Sequence, residues 1–458
     1  MRGILCDSIF AAQITNHLLA MKNKFKHIIL SSFSMLACCI FSACQPGESG
    51  SGAEPEPLLP TKGTPTEVGK PLGAPIQKMI GPAGGSISAA DSSVMLFIPA
   101  GALKADTPIS IQPTENKAWG GTGLGYELTP KNLELSKPAE LVWNYKEADV
   151  AGSAPEALGI AFQQPDKSWK GRGGLEIDKI QKKAKAKVIE LMPVAFYESF
   201  FIDPVKSSVV PAEQLSLTIF YQQGHKDEME DKIVLNPLTE PTKLKKDEVK
   251  NWRVNGLDLE NTVDPLLGAL TITGNGAAAT YLAPNKIPKS NEVAISAEVI
   301  LKNTKAKLIL VAHVTIEGAN RFSFSGAKVD SAEVGTMAVV DGELFQISLS
   351  ERRLTGEAQA MIVLSMLPFN GVGSYPVVDN GQVRIHAQSG NRKSWSDSYY
   401  PRAGKKIIGP LDVFISSYDK NKKRVEGKIS GTLHYYDEKT NKHETTEVSA
   451  KFKAASPY

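Results

Sequence analysis

Short apolar segments separated by turn residues recur throughout the sequence after residue 75. Typical examples are Val94–Ile98, Leu215–Ile219, Val293–Ala297 and Phe345–Leu349. Their lengths and spacing are those of antiparallel strands, whereas the 3.6-residue period of long helices is nearly absent. The chain is therefore predicted to be all-β, with several β-sandwich domains in tandem.

A row of lysines lies between Glu176 and Val188. The lysines occupy every second position and alternate with small apolar residues (Lys183, Ala184, Lys185, Ala186, Lys187 and Val188). This period of two predicts a strand whose outer face is lined by lysine. Such a face can bind phosphate or an acidic polymer, but it also protects a sheet edge against aggregation. Because no aromatic residues are interleaved, edge protection is favoured.

Size and cysteine content limit the architecture further. A chain of 458 residues is too long for one core and corresponds to about three domains. With 42% hydrophobic and 22% charged residues, most of it is expected to fold. The four cysteines are Cys6, Cys38, Cys39 and Cys44, which excludes disulfides, thiolate metal sites and cysteine nucleophiles from everything that follows.

Charge gives no reason to expect a nucleic-acid partner. Of the 52 basic and 49 acidic residues, four and one lie in the first 43 positions, so residues 44–458 carry 48 of each. A neutral protein has no global field that attracts nucleic acid or anionic lipid.

The N-terminal segment has the pattern of an export signal. Lys22, Lys24 and Lys26 precede an apolar stretch, residues 28–40, that is too short for a typical membrane-spanning helix. It ends in Phe-Ser-Ala-Cys at residues 41–44, which resembles the lipobox of bacterial lipoproteins, although Phe41 stands where an aliphatic residue is usual. The flanking charges and the linker that follows disfavour a buried helix or a plain anchor helix.

The resemblance implies cleavage before Cys44 and acylation of its thiol. Residues 1–43 are then the signal peptide, of which residues 1–20 are interpreted as an upstream extension annotated in error. Gln45 stands where an inner-membrane retention aspartate would be expected, so the outer membrane is favoured, with the face left open. Residues 44–75 are rich in Pro, Gly, Glu and Ser and are predicted to be a lipid-anchored disordered linker.

Residues 76–202 form the first predicted domain. Glycine, proline and apolar residues recur in this domain at residues 80–87, 97–103, 125–130 and 135–141. Their order resembles the ZU-five domain, a β-sandwich interaction module of ankyrins, netrin receptors and tight-junction scaffolds. Some members of that family cleave themselves at a His-Phe-Ser sequence. Residues 194–200 have no histidine before the aromatic residue, so self-cleavage is not implied here.

Two further domains are predicted at residues 203–317 and 318–458. Trp252, followed later by Thr280-Tyr281-Leu282-Ala283-Pro284, is similar to the immunoglobulin-like sandwiches of bacterial surface proteins, and Trp252 is expected in the core rather than on a sugar-binding surface. The last segment resembles the C-terminal β-domains of Bacteroidetes-type lipoproteins.

Residues suited to catalysis or metal binding are few. The histidines after residue 43 lie at no short metal-binding spacing (His225, His313, His386, His434 and His443). A hairpin turn at residues 437–441 would bring His434 and His443 across from each other, but two solvated edge residues are favoured over a shared zinc.

Three other segments imitate functional motifs. The acidic run at residues 227–231 lacks the glycine turns of a calcium loop, and Asp419-Lys420-Asn421 is explained by a turn. The glycines of residues 120–125 lack the Gly-Lys-Ser/Thr ending of a phosphate-binding loop, and no Gly-x-Ser-x-Gly occurs. A glycosidase carboxylate pair stays open because it is defined in space.

We therefore assign no catalytic, cofactor-binding or metal-binding residue, and expect a non-catalytic cell-envelope lipoprotein that presents β-sandwich domains at the membrane. One alternative is a surface lipoprotein that binds or cleaves carbohydrate through exposed aromatic residues (Trp119, Trp169, Trp395, Tyr399 and Tyr400). Another is an accessory subunit of an outer-membrane complex that receives a partner strand at a sheet edge.

Overall fold

The computed structural model describes residues 61–457 except 223–234, 245–247, 261, 274–275, 301–306, 353–357, 380, 391–392 and 402–403. The predicted export signal, Cys44, His225 and the acidic run at 227–231 lie outside the described residues. Within them, 35 strands and two short 3₁₀ helices are found. The prediction of an all-β fold with several tandem sandwiches is confirmed.

The first eleven strands form two facing sheets. They are β1 Ile76–Ile80, β2 Gly85–Ser88, β3 Val94–Ile98, β4 Thr107–Thr114, β5 Gly121–Thr129, β6 Leu133–Asn144, β7 Leu158–Gln163, β8 Trp169–Arg172, β9 Glu176–Asp178, β10 Lys183–Leu191 and β11 Val194–Glu198, with the 3₁₀ helices Glu147–Val150 and Pro155–Ala157 after β6. One sheet has the order β1-β4-β5-β11-β7-β8 and the other β2-β3-β6-β10-β9. Trp143 of the second sheet stacks on Phe196 of the first, with ring centroids 4.0 Å apart, at the centre of a shared core.

Ten of the next eleven strands form a second pair of sheets, and the fourth of the eleven instead extends the larger sheet of the first group. They are β12 Phe200–Asp203, β13 Lys206–Val209, β14 Gln214–Tyr221, β15 Asn236–Leu238, β16 Thr242–Lys243, β17 Val249–Val254, β18 Val263–Asp264, β19 Gly268–Thr273, β20 Ala278–Leu282, β21 Glu292–Ile300 and β22 Lys307–Ile316. The order β12-β14-β20-β19-β18, with β16 beside β14, faces the order β13-β22-β21-β17. Trp252 is buried in their common core, where its Nε1 donates to the Gly276 carbonyl at 2.9 Å, so the prediction for this residue is confirmed.

The last thirteen strands build one large sheet and a small ribbon. They are β23 Arg321–Phe324, β24 Ala327–Val329, β25 Glu333–Val340, β26 Leu344–Arg352, β27 Ala358–Met366, β28 Gly373–Pro376, β29 Val383–Gln388, β30 Ser394–Ser396, β31 Ser398–Tyr399, β32 Ile407–Ile408, β33 Leu411–Asp419, β34 Arg424–Asp437 and β35 Lys442–Ala455. The main order is β24-β23-β35-β34-β30-β29-β27-β26-β25, with β33 beside β34 and β28 beside β33, and β31 pairs with β32 in a separate ribbon. Phe345 of β26 packs on Phe452 of β35 although four strands lie between them in the sheet order, so the sheet curls around its own core.

Two segments differ from the sequence predictions. Residues 176–188 are not one strand but the hairpin β9–β10, because the Asp178 carboxylate accepts the amides of Ile180 and Gln181 and turns the chain. The lysine-lined outer face is confirmed on β10, but β9 is the edge strand, and Lys185 pairs across to Glu176 at 3.2 Å.

The chain before β1 is the second difference. Residues within the predicted disordered linker are hydrogen-bonded to the first domain, where Thr64 N donates to the Leu238 carbonyl and Thr66 Oγ1 accepts from the Trp169 indole at 2.7 Å. Leu238 itself lies in β15, a strand from the second group that pairs with β8 of the first group. The indole and the open sheet edge supply hydrogen-bonding partners that composition does not reveal.

Candidate functional site

Four ring-bearing side chains lie together on the outer face of the large sheet: Tyr399, His434, Tyr436 and His443. We call them the histidine–tyrosine cluster. The hairpin β34–β35 brings the histidines together, with Tyr436 opposite His443 and His434 two residue pairs further along, on the same face. On β34, Leu433 points into the core and His434 therefore points outwards.

The two imidazoles are in direct contact. His434 Nδ1 and His443 Nε2 are 2.9 Å apart, so one ring nitrogen donates a proton and the other accepts it. Tyr399 stacks on His443 with centroids 4.1 Å apart and planes 18° from parallel. The sequence prediction that a hairpin joins these histidines is confirmed.

The expectation that both are solvated edge residues is wrong for His434. Its strand is paired on both sides, and the ribbon β31–β32 crosses over it, leaving His434 7% exposed while His443 stays exposed. Gly409 closes this cover, because a Cβ there would come within 2.7 Å of His434 Nε2. That nitrogen has no hydrogen-bond partner among the described residues.

A carboxylate lies behind the cluster. Asp397 is fully buried, accepts the Ile385 amide at 3.2 Å and the Ser398 hydroxyl at 2.8 Å, and lies 3.7 Å from Arg384. Burial lowers the pKa of His434, and the neighbouring His443 lowers it further, whereas Asp397 raises it. A neutral His434 therefore suits the observed hydrogen bond, which two fully protonated rings could not make.

The remaining described histidines lie elsewhere. His386 shares a cross-strand row with Ser396 and His434, two strands from the latter, which corresponds to about 10 Å. His313 is exposed beside Lys206 in an open polar groove of about 660 Å³ on the second domain. Neither belongs to the cluster.

A second group of polar residues surrounds Gly120, at the start of the glycine-rich segment that imitates a phosphate loop. Gln222 packs against Gly120, and both of its amide atoms, together with Trp119 Nε1 and Ser199 Oγ, are buried without hydrogen-bond partners among the described residues. Burial raises the pKa of Glu198 to about 8, assisted by the charge of Asp149. Sequence analysis singled out Trp119 and the glycine-rich segment separately but did not predict this group, because its members are spread from residue 119 to residue 222.

The five aromatic residues of the carbohydrate hypothesis do not form an exposed row. Trp169 and Trp395 are buried, which corrects the expectation that they face solvent, and Trp119 and Tyr399 are half-buried. Tyr400 is 67% exposed. Trp169 is covered because Thr66 returns over it, and Trp395 because it points into the core of the large sheet.

Comparisons with known proteins add no identity. No protein-family model and no curated protein matches this chain. In the part of the chain that the structure describes, no three His, Cys, Asp or Glu side chains converge as a metal site. Across the same residues, no helix has the length and apolar character needed to cross a membrane.

Proposed function

We propose that this chain is a non-catalytic cell-envelope lipoprotein of the outer membrane, anchored through a lipid on Cys44 and presenting its β-domains to a partner. The sequence supports the proposal through the lipobox-like Phe-Ser-Ala-Cys and the linker after it. One structural observation is added, namely that a buried ion pair and backbone hydrogen bonds connect successive groups of strands. A presenting protein needs such junctions, because a partner that bridges two domains binds more tightly when their arrangement is already ordered.

The junction between the second and third groups of strands centres on an ion pair. The Glu213 carboxylate, 4% exposed, accepts from the Arg424 guanidinium through both oxygens and from the Val210 amide at 2.8 Å. Two backbone bonds cross beside it, from Ala455 N to the Pro211 carbonyl at 3.2 Å and from Val334 N to the Asn285 carbonyl at 2.9 Å. A charge buried in this way is costly to separate from its partner.

The junction between the first and second groups uses backbone contacts. Ser199 N donates to the Ala157 carbonyl at 2.7 Å, and Ile202 N donates to the Gly152 carbonyl at 2.9 Å. Ala157 and Phe200 pack into the core of the second sandwich, and β15 pairs with the first sheet. Because these contacts occupy the junction between the two groups, we expect a partner to bind the loops at the exposed ends of the sandwiches.

Lipid attachment is tested by labelling cells with radioactive palmitate. Wild-type protein is expected to be labelled, to fractionate with outer membranes and to lack residues 1–43 by mass spectrometry. Cys44→Ser should lose the label, whereas the matched control Cys39→Ser should keep it. Equal labelling of wild type and Cys44→Ser, or an intact N-terminus on the purified protein, would refute the anchor.

The presenting role is tested by chemical crosslinking on membranes followed by purification in detergent. We expect a reproducible protein partner whose crosslinks map to loops of the three β-domains. The accessory-subunit hypothesis predicts instead crosslinks concentrated along one sheet edge, within a defined outer-membrane complex. If the purified protein turns over a substrate and no partner is recovered, the non-catalytic role is wrong.

The carbohydrate alternative has one observation in its favour, the group around Gly120. Trp119 offers a partly exposed ring, and the unpaired amide of Gln222 with an uncharged Glu198 resembles the mixture of donors and acceptors that binds sugar hydroxyls. Glycan-array binding that Trp119→Ala abolishes and Tyr400→Ala leaves unchanged would support a sugar site there. No glycan binding at millimolar concentrations would end this alternative.

A further inference from the structure

We propose that His434 and His443 form a surface site for one divalent transition-metal ion of the kind that imidazole prefers, Cu²⁺, Ni²⁺ or Zn²⁺. Solvent would complete the coordination, so the ion would be exchangeable rather than structural. This site does not depend on the lipid anchor or on the presenting role, and its test is independent of both.

The distance between the two nitrogens is the first argument. Imidazole nitrogens bind first-row transition metals at about 2.0–2.1 Å, so two nitrogens at adjacent corners of the square plane preferred by Cu²⁺ and Ni²⁺ are about 2.8–3.0 Å apart, whereas tetrahedral Zn²⁺ separates them by about 3.3–3.4 Å. His434 Nδ1 and His443 Nε2 are 2.9 Å apart. A metal ion that replaces the shared proton would need the rings to turn but not to separate.

The second argument is that packing holds the two rings next to each other before any ion binds, so that only their orientation has to change. Tyr399 stacks on His443, and Tyr436 lies beside both while its hydroxyl donates to Asn441 in the hairpin turn. Gly409 limits the movement of His434 from the other side. Side chains ordered in advance lose little conformational entropy on binding, which favours affinity.

The charges around the pair also suit a cation. Asp397 lies close enough to His434 to interact with its charge, and Arg384 neutralises it only partly at 3.7 Å. Glu444, next to His443 in sequence, pairs with Lys393 and is 46% exposed. Among the described residues, no lysine or arginine is in hydrogen-bond contact with either imidazole, whereas the Asp397 carboxylate lies behind His434.

Among the described residues, two side chains and no third converge as ligands, so the site is expected to hold an ion weakly and exchangeably. Metal ions with a strong preference for nitrogen are expected to bind in the order Cu²⁺ above Ni²⁺ and Zn²⁺, whereas Ca²⁺ and Mg²⁺, which require oxygen ligands, are not expected to bind. His443 is exposed, so the ion has a direct path from solvent.

Titration of the purified full-length protein with copper chloride tests the site, using calorimetry for stoichiometry and electron paramagnetic resonance for the ligands. Wild type is expected to bind one Cu²⁺ with two nitrogen ligands. His443→Ala, an exposed change that should leave the fold intact, is expected to weaken binding at least tenfold and to remove the two-nitrogen spectrum.

His386→Ala is the matched control, because this histidine lies on the same face two strands away. It should bind copper as wild type does. If wild type binds no Cu²⁺, if His443→Ala binds as tightly as wild type, or if His386→Ala loses as much affinity as His443→Ala, the assignment is wrong. Circular dichroism that is unchanged in each variant separates loss of ligand from loss of fold.

Discussion

Arg424→Met should loosen the junction between the second and third groups of strands far more than an ordinary surface charge deletion does. The side chain of Arg424 is 22% exposed, and both oxygens of the Glu213 carboxylate accept from its guanidinium. Methionine has a similar length and keeps much of the packing, so the change mainly removes the charge and the hydrogen bonds.

The magnitude follows from what is left around Glu213. Without Arg424 the carboxylate keeps the Val210 amide at 2.8 Å, and the nearest other cation is Lys422 at 3.8 Å. Removing one partner of a buried ion pair costs about 3–5 kcal/mol. Glu213→Gln should cost less, about 1–3 kcal/mol, because the guanidinium left behind is more exposed and the amide still offers it an oxygen.

Hydrogen exchange measures this locally. The amides of Ala455 and Val334 donate across the junction, so their exchange reports its opening. In Arg424→Met they should exchange about 100-fold faster or more, since each 1.4 kcal/mol is a factor of ten. Lys182→Met is the control, because it removes an ion pair to Glu147 whose side chains are 47% and 79% exposed, and it should cost less than about 1 kcal/mol.

The double variant Glu213→Gln/Arg424→Met gives a stricter test. If the two side chains act as a pair, their combined cost should fall below the sum of the single costs by about 0.5–3 kcal/mol. Strict additivity, or exchange at the junction in Arg424→Met no faster than in Lys182→Met, would show that the ion pair does not hold these domains together.

Three other substitutions probe separate features. Glu198 has an ordinary pKa of 4.5 and a pKa of about 8 in the folded protein, so the folded state keeps a proton that the unfolded state loses. The free energy of unfolding should therefore fall as pH rises from about 5 to 8, by at most about 1.4 kcal/mol per pH unit. Glu198→Gln should remove that slope in urea titrations at several pH values. Trp252→Ala should lower the free energy of unfolding, measured by urea denaturation, by about 3–5 kcal/mol. Tyr400→Ala, at an exposed position, should lower it by less than about 0.5 kcal/mol. Similar losses for the two variants would contradict the placement of Trp252 in the core. Gly268→Ala should lower the midpoint of thermal unfolding more than Gly256→Ala does. Both glycines have a positive φ, but a Cβ would meet a carbonyl oxygen, at 2.1 Å, at Gly268 and not at Gly256. Equal effects would mean that the strain from positive φ alone matters.

The strands were predictable because their pattern is local. Residues 94–98 are a short apolar run in the sequence and form β3 with those bounds, and the lysines of β10 face outwards as the period of two requires. The turn at residues 437–441 was predictable for the same reason, and with it the approach of His434 to His443. Turn chemistry depends on a few neighbouring residues, so it can be recognised without knowledge of the fold.

Burial was not predictable in the same way. His434, Trp169 and Trp395 lose contact with solvent because distant segments cover them, and residues 176–188 form a hairpin because Asp178 accepts amides within the turn. The alternation of a strand says which face a side chain occupies, but not whether another part of the chain lies over that face.

Sequence alone determined that this chain is built from strands, which side chains share a face, and that no thiol follows Cys44. The tertiary structure decided which polar groups became partners: Glu213 meets Arg424 across 211 positions, and Glu198 is held uncharged near neutral pH. The reason is physical. Backbone alternation is a property of adjacent residues, whereas desolvation and charge pairing depend on whatever the folded chain brings within a few ångströms.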